Sequence, residues 1–263
     1  MEEKVLSILL QEVRGSTLVL TMNRPEALNA LSVELVGALR DAVAGPGGQR
    51  KVRSIIITGA GGRAFSAGTD LKQRRTLSLD EKARQSQALL ALAEEIWALP
   101  KPVIAAVCGW CLGGGAELAL ACDLRIAGDD TTFGFPEMTL GAYPGSGGPV
   151  TLSRMVGATR AKDLLFTARR FGAAEALRIG MVERVAPAGQ LLAAALEWAG
   201  AMEATAPLAI AALKRSINEG AVLPFRDANA FDQQLRRPLD TSKDNEEGMR
   251  AHFEKRPPVF RGE

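Results

Sequence analysis

Histidine is nearly absent. The chain of 263 residues holds one, His252, close to its C-terminal end. A single histidine so placed leaves serine–histidine and cysteine–histidine catalysis without its base. Cysteine is scarce as well: Cys108, Cys111 and Cys122, an odd number within one apolar stretch. Cys108 and Cys111 have the spacing of a metal-ligand pair, but no second pair follows. No metal is expected, and buried reduced thiols are. Aromatic residues make up 5% of the chain, so aliphatic side chains must fill most of the core. Excess charge is missing too. The net charge of +2 argues against a general nucleic-acid or membrane-surface binder. No uninterrupted apolar run approaches the roughly 20 residues of a membrane span. The acidic opening Met1-Glu2-Glu3-Lys4 is unlike a secretory signal. A cytoplasmic protein is expected. Phosphate-binding patterns of the G-x-x-x-x-G-K-S/T or G-x-G-x-x-G kind are lacking, as are long linkers, low-complexity tracts and internal repeats.

What is present is an ordinary globular composition, 47% hydrophobic and 24% charged. A chain of this length buries roughly 70–75% of its unfolded surface. Val5 to Val13 and Ser16 to Met22 read as a hairpin through Arg14-Gly15. Ser32 is placed to cap a helix from Val33 to Ala44, which Gly45-Pro46-Gly47-Gly48 stops. Val52 to Thr58, Val103 to Val107 and Leu124 to Ala127 read as buried strands. Asp80 is expected to cap a helix from Glu81 to Leu99, ended by Pro100 and Pro102. Another helix is expected from Ala116 to Ala121. Strands alternating with helices argue for a parallel α/β core. After Gly189 strand signals vanish. Gln190 to Ala204, Pro207 to Glu219, Phe225 to Arg236 and Ser242 to Glu254 all read as helices.

Two carboxylates stand out. Glu117 lies one turn after Gly113-Gly114-Gly115, among small apolar residues. Those glycines let a ligand approach the backbone and leave amides free at a helix start. A carboxylate is costly to bury there without partners. Glu137 follows Pro136 in an apolar segment that leads to the glycine-rich loop Gly141 to Gly148. The bland alternatives are an exposed helix face for Glu117 and a surface turn for Glu137. A third segment, Phe65 to Leu71, follows a buried strand by a short loop, where ligands often sit.

Asn23-Arg24-Pro25-Glu26-Ala27-Leu28-Asn29-Ala30-Leu31, Phe65 to Leu71, Gly113 to Leu118, Cys122-Asp123 and Pro136-Glu137 occur in this order at a spacing that resembles the crotonase superfamily. The likeness runs from about Val5 to Glu263. Within that superfamily the chain most resembles the enoyl-CoA hydratases, which need two glutamates. The run Asp70-Leu71-Lys72-x-Arg74 and the ending Lys255-Arg256-Pro257-Pro258 resemble the methylglutaconyl-CoA hydratase branch.

The resemblance implies an α/β fold, a crotonase-like spiral of ββα repeats (residues 1–189) with a helical C-terminal oligomerisation portion (residues 190–263). It implies a hydro-lyase of fatty acid metabolism that adds water across the 2,3 double bond of a 2-enoyl-CoA. Glu117 and Glu137 would do the proton work, and the amides of Thr69 and Gly114 would form the oxyanion hole. Gly145 would hold the water. Arg24, Ala27, Leu28, Ala67, Asp70, Leu71, Lys72, Gly113 and Pro136 complete the substrate and coenzyme A contacts it implies. Coenzyme A would be part of the substrate, with no separate cofactor. A homotrimer or hexamer is expected. An enoyl-CoA isomerase, or another acyl-CoA enzyme of the superfamily, remains the alternative. A lesser one is RNA binding through Lys72, Arg74, Arg75, Lys82 and Arg84; Asp80 and Glu81 dilute that stretch, no aromatic stacks beside it, and a nucleic-acid partner is not expected.

Overall fold

The computed structural model describes residues 7–263. Strands β1 (Leu9–Arg14) and β2 (Thr17–Met22) form the expected antiparallel hairpin, with Arg14 opposite Thr17. Val5 and Leu6, where the first strand was expected to begin, lie outside the described residues. Helix α1 (Val33–Ala44) starts as the sequence predicts, with the Ser32 hydroxyl accepting the Leu35 amide.

Next come β3 (Ser54–Gly59), β4 (Ala64–Ser66), α2 (Leu71–Thr76) and α3 (Leu79–Ala98). The cap of α3 differs from the expectation. Ser78, not Asp80, begins the helix, because Ser78 and Glu81 form a reciprocal capping box. Asp80 instead sits in the first turn. Two further turns of chain follow: β5 (Val103–Val107), β6 (Trp110–Leu112) and α4 (Gly114–Ala121), then β7 (Leu124–Gly128) and β8 (Thr132–Gly134).

Each turn lays one strand in each of two sheets. β3, β5 and β7 are parallel neighbours in a six-stranded sheet, and β4, β6 and β8 are parallel neighbours in a four-stranded one. The chain therefore winds as a spiral of strand–strand–helix repeats. The long-sheet strands are buried on both faces and read as nearly continuous apolar runs. Strands of the small sheet are two or three residues long, too short for any periodic signal.

The remainder is α5 (Gly148–Val156), α6 (Ala158–Thr167), β9 (Phe171–Gly172), α7 (Ala173–Ile179), β10 (Arg184–Ala186), α8 (Leu191–Glu203), α9 (Pro207–Gly220), α10 (Phe225–Arg236) and α11 (Lys243–Phe253). Helix α8 lies beyond the boundary drawn at residue 189, yet it covers one face of the large sheet. Its Leu191, Ala195 and Ala199 pack on Val19, Ile56, Ile104 and Ile126. Helices α9 and α10 bury no residue fully. No helix among the described residues is long and apolar enough to cross a membrane.

One buried cation fastens α9 to the core. Lys214 Nζ donates to the Ile96 carbonyl at 2.8 Å, the Lys101 carbonyl at 3.0 Å and Asp123 Oδ2 at 2.7 Å. Asp123 also accepts the Val103 amide, so it ties β5 to the same point. Removing one partner leaves the other charge desolvated and unmatched. Lys214→Met is expected to lower unfolding stability by about 2–3 kcal/mol in denaturant titrations. Adding Asp123→Asn to that variant should recover part of the loss, and a double variant less stable than the single one would contradict the assignment.

Candidate active site

The segment Ala67-Gly68-Thr69-Asp70 leaves β4 and runs beside Leu28–Leu31. Ala67 N donates to Leu28 O at 2.9 Å, Leu31 N to Gly68 O at 2.8 Å and Asp70 N to Leu31 O at 3.2 Å. The amide of Gly68 donates to Ser66 Oγ at 3.1 Å. In this strip Thr69 N alone has no protein acceptor among the described residues. Gly114 N is the first amide of α4, where no intrahelical acceptor exists.

The two free amides are brought together because no side chain separates the strands that carry them. Gly68 has φ of +92°, and a Cβ there would lie 2.8 Å from Leu112 O and 3.2 Å from Gly114 N. A Cβ on Gly114 would lie 3.5 Å from Thr69 N. Gly113, at φ +50°, turns the chain from β6 into α4. The positive end of α4 adds to both donors.

Glu117 is 4% exposed. Its Oε1 accepts two backbone amides, Ser146 N at 2.8 Å and Gly148 N at 3.0 Å. Gly148 begins α5, so that helix aims its N-terminal end at the carboxylate. Burial pushes the Glu117 carboxyl above its ordinary range, while the two amides pull it back.

Glu137 has the opposite setting. It sits in a short 3₁₀ turn, Pro136–Leu140, that Gly141 closes. Its Oε2 is buried with no hydrogen-bond partner. A Cβ on Gly113 would lie 2.5 Å from its Oε1, so the carboxyl rests on the backbone where α4 begins. Burial raises its pKa to about 7, with a smaller contribution from the charge of Glu117. The two glutamates, Thr69 and Gly114 line one cavity of about 140 Å³. Gly113, Pro136, Gly145, Ala67 and Leu71 line it as well.

Other expected contacts lie elsewhere. Arg24 Nη1 donates to Asp70 Oδ2 at 2.9 Å and to Ala30 O at 2.7 Å. Asp70 is further used in capping α2 through Gln73 N. This ion pair ties the Arg24–Leu31 turn to the Thr69 strip. Ala27 and Leu28 form the turn itself, with Leu28 at φ +50°. Buried Asn29 holds that turn, donating to Ala60 O and Ala64 O and accepting Arg24 N. Lys72 is exposed. The basic stretch of Lys72 to Arg84 does not form one face, because Arg74 turns into the cavity wall. All three cysteines are buried and unpaired. The Ser146 and Gly148 amides were not foreseen as partners of Glu117. A glycine loop announces close approach but not its target. Gln85 of α3 also lines the cavity and had no sequence signal, being one polar residue in an amphipathic helix.

Comparison with known proteins gives consistent likenesses. The family model described as enoyl-CoA hydratase/isomerase matches residues 12–263. The putative enoyl-CoA hydratase/isomerase YngF of Bacillus subtilis is 41% identical over 244 residues, 93% of this chain and 94% of that protein. The short-chain-enoyl-CoA hydratase of Clostridium acetobutylicum is 38% identical over 245 residues, 93% of this chain and 94% of that protein. A crystal structure of enoyl-CoA hydratase from Bacillus anthracis superposes with a TM-score of 0.95 at 35% identity, covering 98% of this chain and 100% of that one.

The setting of Glu137 has a consequence for stability. An unfolded glutamate releases its proton near 4.5, whereas folded Glu137 keeps it to about 7. Between those values the native state binds more protons, so this group's contribution declines as pH rises. Glu137→Gln removes the burden of the buried charge. It is expected to be more stable than the parent above pH 7, by on the order of 1–2 kcal/mol after allowance for partial exposure. That advantage should shrink below about pH 5, where both side chains are neutral. A pH-independent difference in thermal or denaturant midpoints would contradict the assignment.

Proposed function

The chain belongs to the enoyl-CoA hydratase/isomerase family, and from that premise we propose that it hydrates 2-enoyl-CoA thioesters through Glu117 and Glu137. The observation that carries this reading is the pairing of two free amides with two unlike carboxyls around one cavity.

The thioester oxygen would lie between Thr69 N and Gly114 N. Attack at C3 moves charge onto that oxygen. Fixed donors stabilise it without reorganising, and one such donor is typically worth about 3–4 kcal/mol of barrier. Glu117, whose charge burial disfavours and two amides favour, accepts a proton from water as the hydroxyl adds to C3. Glu137, whose pKa near 7 keeps a useful fraction protonated, delivers a proton to C2. Each turnover shifts one proton from Glu137 to Glu117, and exchange with solvent resets the pair. Coenzyme A enters as part of the substrate, so the reaction as written needs no resident cofactor. An isomerase would move a proton between carbons with the same oxyanion hole and add no water, so the mass of the product separates the two.

A homotrimer or hexamer is part of the same reading. Its support is the apolar surface on the C-terminal helices, where Leu213, Ile217 and Phe225 are 57%, 68% and 85% exposed. A single monomeric species in sedimentation at micromolar concentration would contradict it.

Crotonyl-CoA and longer enoyl-CoAs are expected to lose their conjugated-thioester absorbance on incubation with the protein. Glu117→Gln and Glu137→Gln should each lower kcat by about two to four orders of magnitude. The rate should fall above about pH 7 as the acid Glu137 loses its proton. Failure on every enoyl-CoA, or near-parental rates in either variant, would overturn the proposal.

A further inference from the structure

Glu117 is shared between two cavities. Behind the small one lies a larger cavity of about 670 Å³, between α3, α5 and α9. Glu117, Ser146, Gly147 and Thr151 line its inner end, whereas Glu137, Thr69 and Gly114 belong to the small cavity alone. It opens to the surface beside Trp97 and Ile217, which are 45% and 68% exposed. A single water needs only about 10–15 Å³ of such space, so the cavity holds many. Asp123, Lys214 and Asn218 lie along its walls, which sets it apart from a dry apolar void. The inner end carries two hydroxyls. That of Ser146 stands beside the Glu117 carboxylate and favours its charge, against the larger effect of burial. Thr151 Oγ1 faces Gly147, 3.9 Å from where a Cβ would lie, and has no hydrogen-bond partner among the described residues.

Hydration needs a water and a proton exit in every turnover. A thioester seated on Thr69 N and Gly114 N fills the small cavity of about 140 Å³ and closes that side of Glu117 to solvent. Glu137 offers no detour, because its Oε2 is sealed. The larger cavity reaches the Glu117 carboxylate from behind. In the addition, one O–H bond of water breaks, the hydroxide oxygen bonds to C3 and the proton goes to Glu117. From there the proton passes to a water in the larger cavity, and the next substrate water arrives the same way. Glu137 regains from solvent the proton it gave to C2 once the product has left, so no charge accumulates.

We propose that the larger cavity is a supply and return route, through which Glu117 exchanges water and its proton with solvent while the thioester is still bound. Ser146 and Thr151 are positioning residues of that route, their hydroxyls holding the waters nearest the carboxylate. This rests on the hydratase reading above and deepens it. Ala121 marks where the route is narrowest to reach. It follows Glu117 by one turn on the same face of α4 and lines the larger cavity but not the small one. Thr151 lines the larger cavity alone as well, from α5.

The test follows two labels at chemical equilibrium between 3-hydroxybutyryl-CoA and crotonyl-CoA. One is a heavy-oxygen label leaving the 3-hydroxyl for water, and the other is a carbon label passing into crotonyl-CoA. So short an acyl group ends within the small cavity and leaves the larger one to water. Leu213 and Ile217 at the mouth also belong to the surface assigned above to assembly, so the protein is used in its native assembly. Water that leaves from behind a bound thioester lets oxygen exchange faster than carbon, and a severalfold excess is expected for the parent. Water that must wait for the thioester to leave cannot outpace carbon. Thr151→Leu and Ala121→Leu fill the passage from two walls, and each should bring the ratio to unity or below, while Thr151→Ser should keep the parent value. A parent ratio at or below unity would overturn the inference even if no variant folds. So would an undiminished excess in both filled variants. In either case continued carbon exchange leaves the hydratase reading standing, whereas no exchange of either label would overturn both.

Discussion

The site depends on one contact between two stretches of bare backbone. The strip after β4 and the start of α4 approach so closely that a single Cβ at Gly68 would strike Leu112 O. This approach is what turns Thr69 N and Gly114 N into a pair of donors on one point. Everything else about the site is arranged around keeping it. Leu31 bonds the Thr69 strip from one side, Asn29 and the Arg24–Asp70 ion pair lock the turn that carries Leu31, and Gly113 turns β6 into the helix. The rest of the spiral supplies the rigidity. Phe65, Phe133 and Phe135 are fully buried in one core with residues of the large sheet such as Leu20, Ile55 and Ile57. Peptide amides are better suited to this than side chains, because no rotamer has to be frozen to aim them.

The same crowding separates the two glutamates chemically. Both are withdrawn from water, which disfavours charge on either. Glu117 is compensated by two amides, one of them from the first residue of α5. Glu137 has a buried oxygen with nothing to accept from, and it feels the charge of Glu117. The two amides thus favour charge on one carboxyl, and burial without a partner favours the proton on the other. Two identical residues acquire different settings from their donors alone.

Much of this could be read in the sequence, for identifiable reasons. The long-sheet strands, α1, α4 and the C-terminal helices carry strong apolar patterns or clear caps, and their bounds were found to within a few residues. The small sheet was invisible. Its strands have two or three residues and are held by the spiral rather than by propensity. The cap of α3 was misplaced by two residues because Ser78 and Asp80 are both capping residues, and Glu81, three residues after Ser78, is the mark of a capping box that decides for Ser78. In the site, glutamates beside glycines were conspicuous because carboxylates are rare in apolar company. The Arg24–Asp70 ion pair was not legible, because a sequence lists charges without pairing them. Gln85 of the cavity wall gave no sign at all.

The two sides of the cavity are built differently. The donors and the two carboxyls belong to segments buried in the spiral, where a change of one methylene is felt by several neighbours. The α2–α3 wall is different. Most of α2 and the outer face of α3 are solvated, and only Gln85, Leu89, Leu92 and Ile96 of α3 are buried. Side chains there can change size or charge at the cavity without moving the backbone that aims Thr69 N and Gly114 N. Under the proposed function, acyl preference can therefore vary while the two amide donors stay fixed. The cost falls where it is cheapest to bear, on a helix whose fold is already secured by its capping box and its contact with α1. Leu89 is the exception, since it touches both Gln85's side of the wall and Gly114. A change at Leu89 would therefore bear on the cavity wall and on the geometry of the donors together.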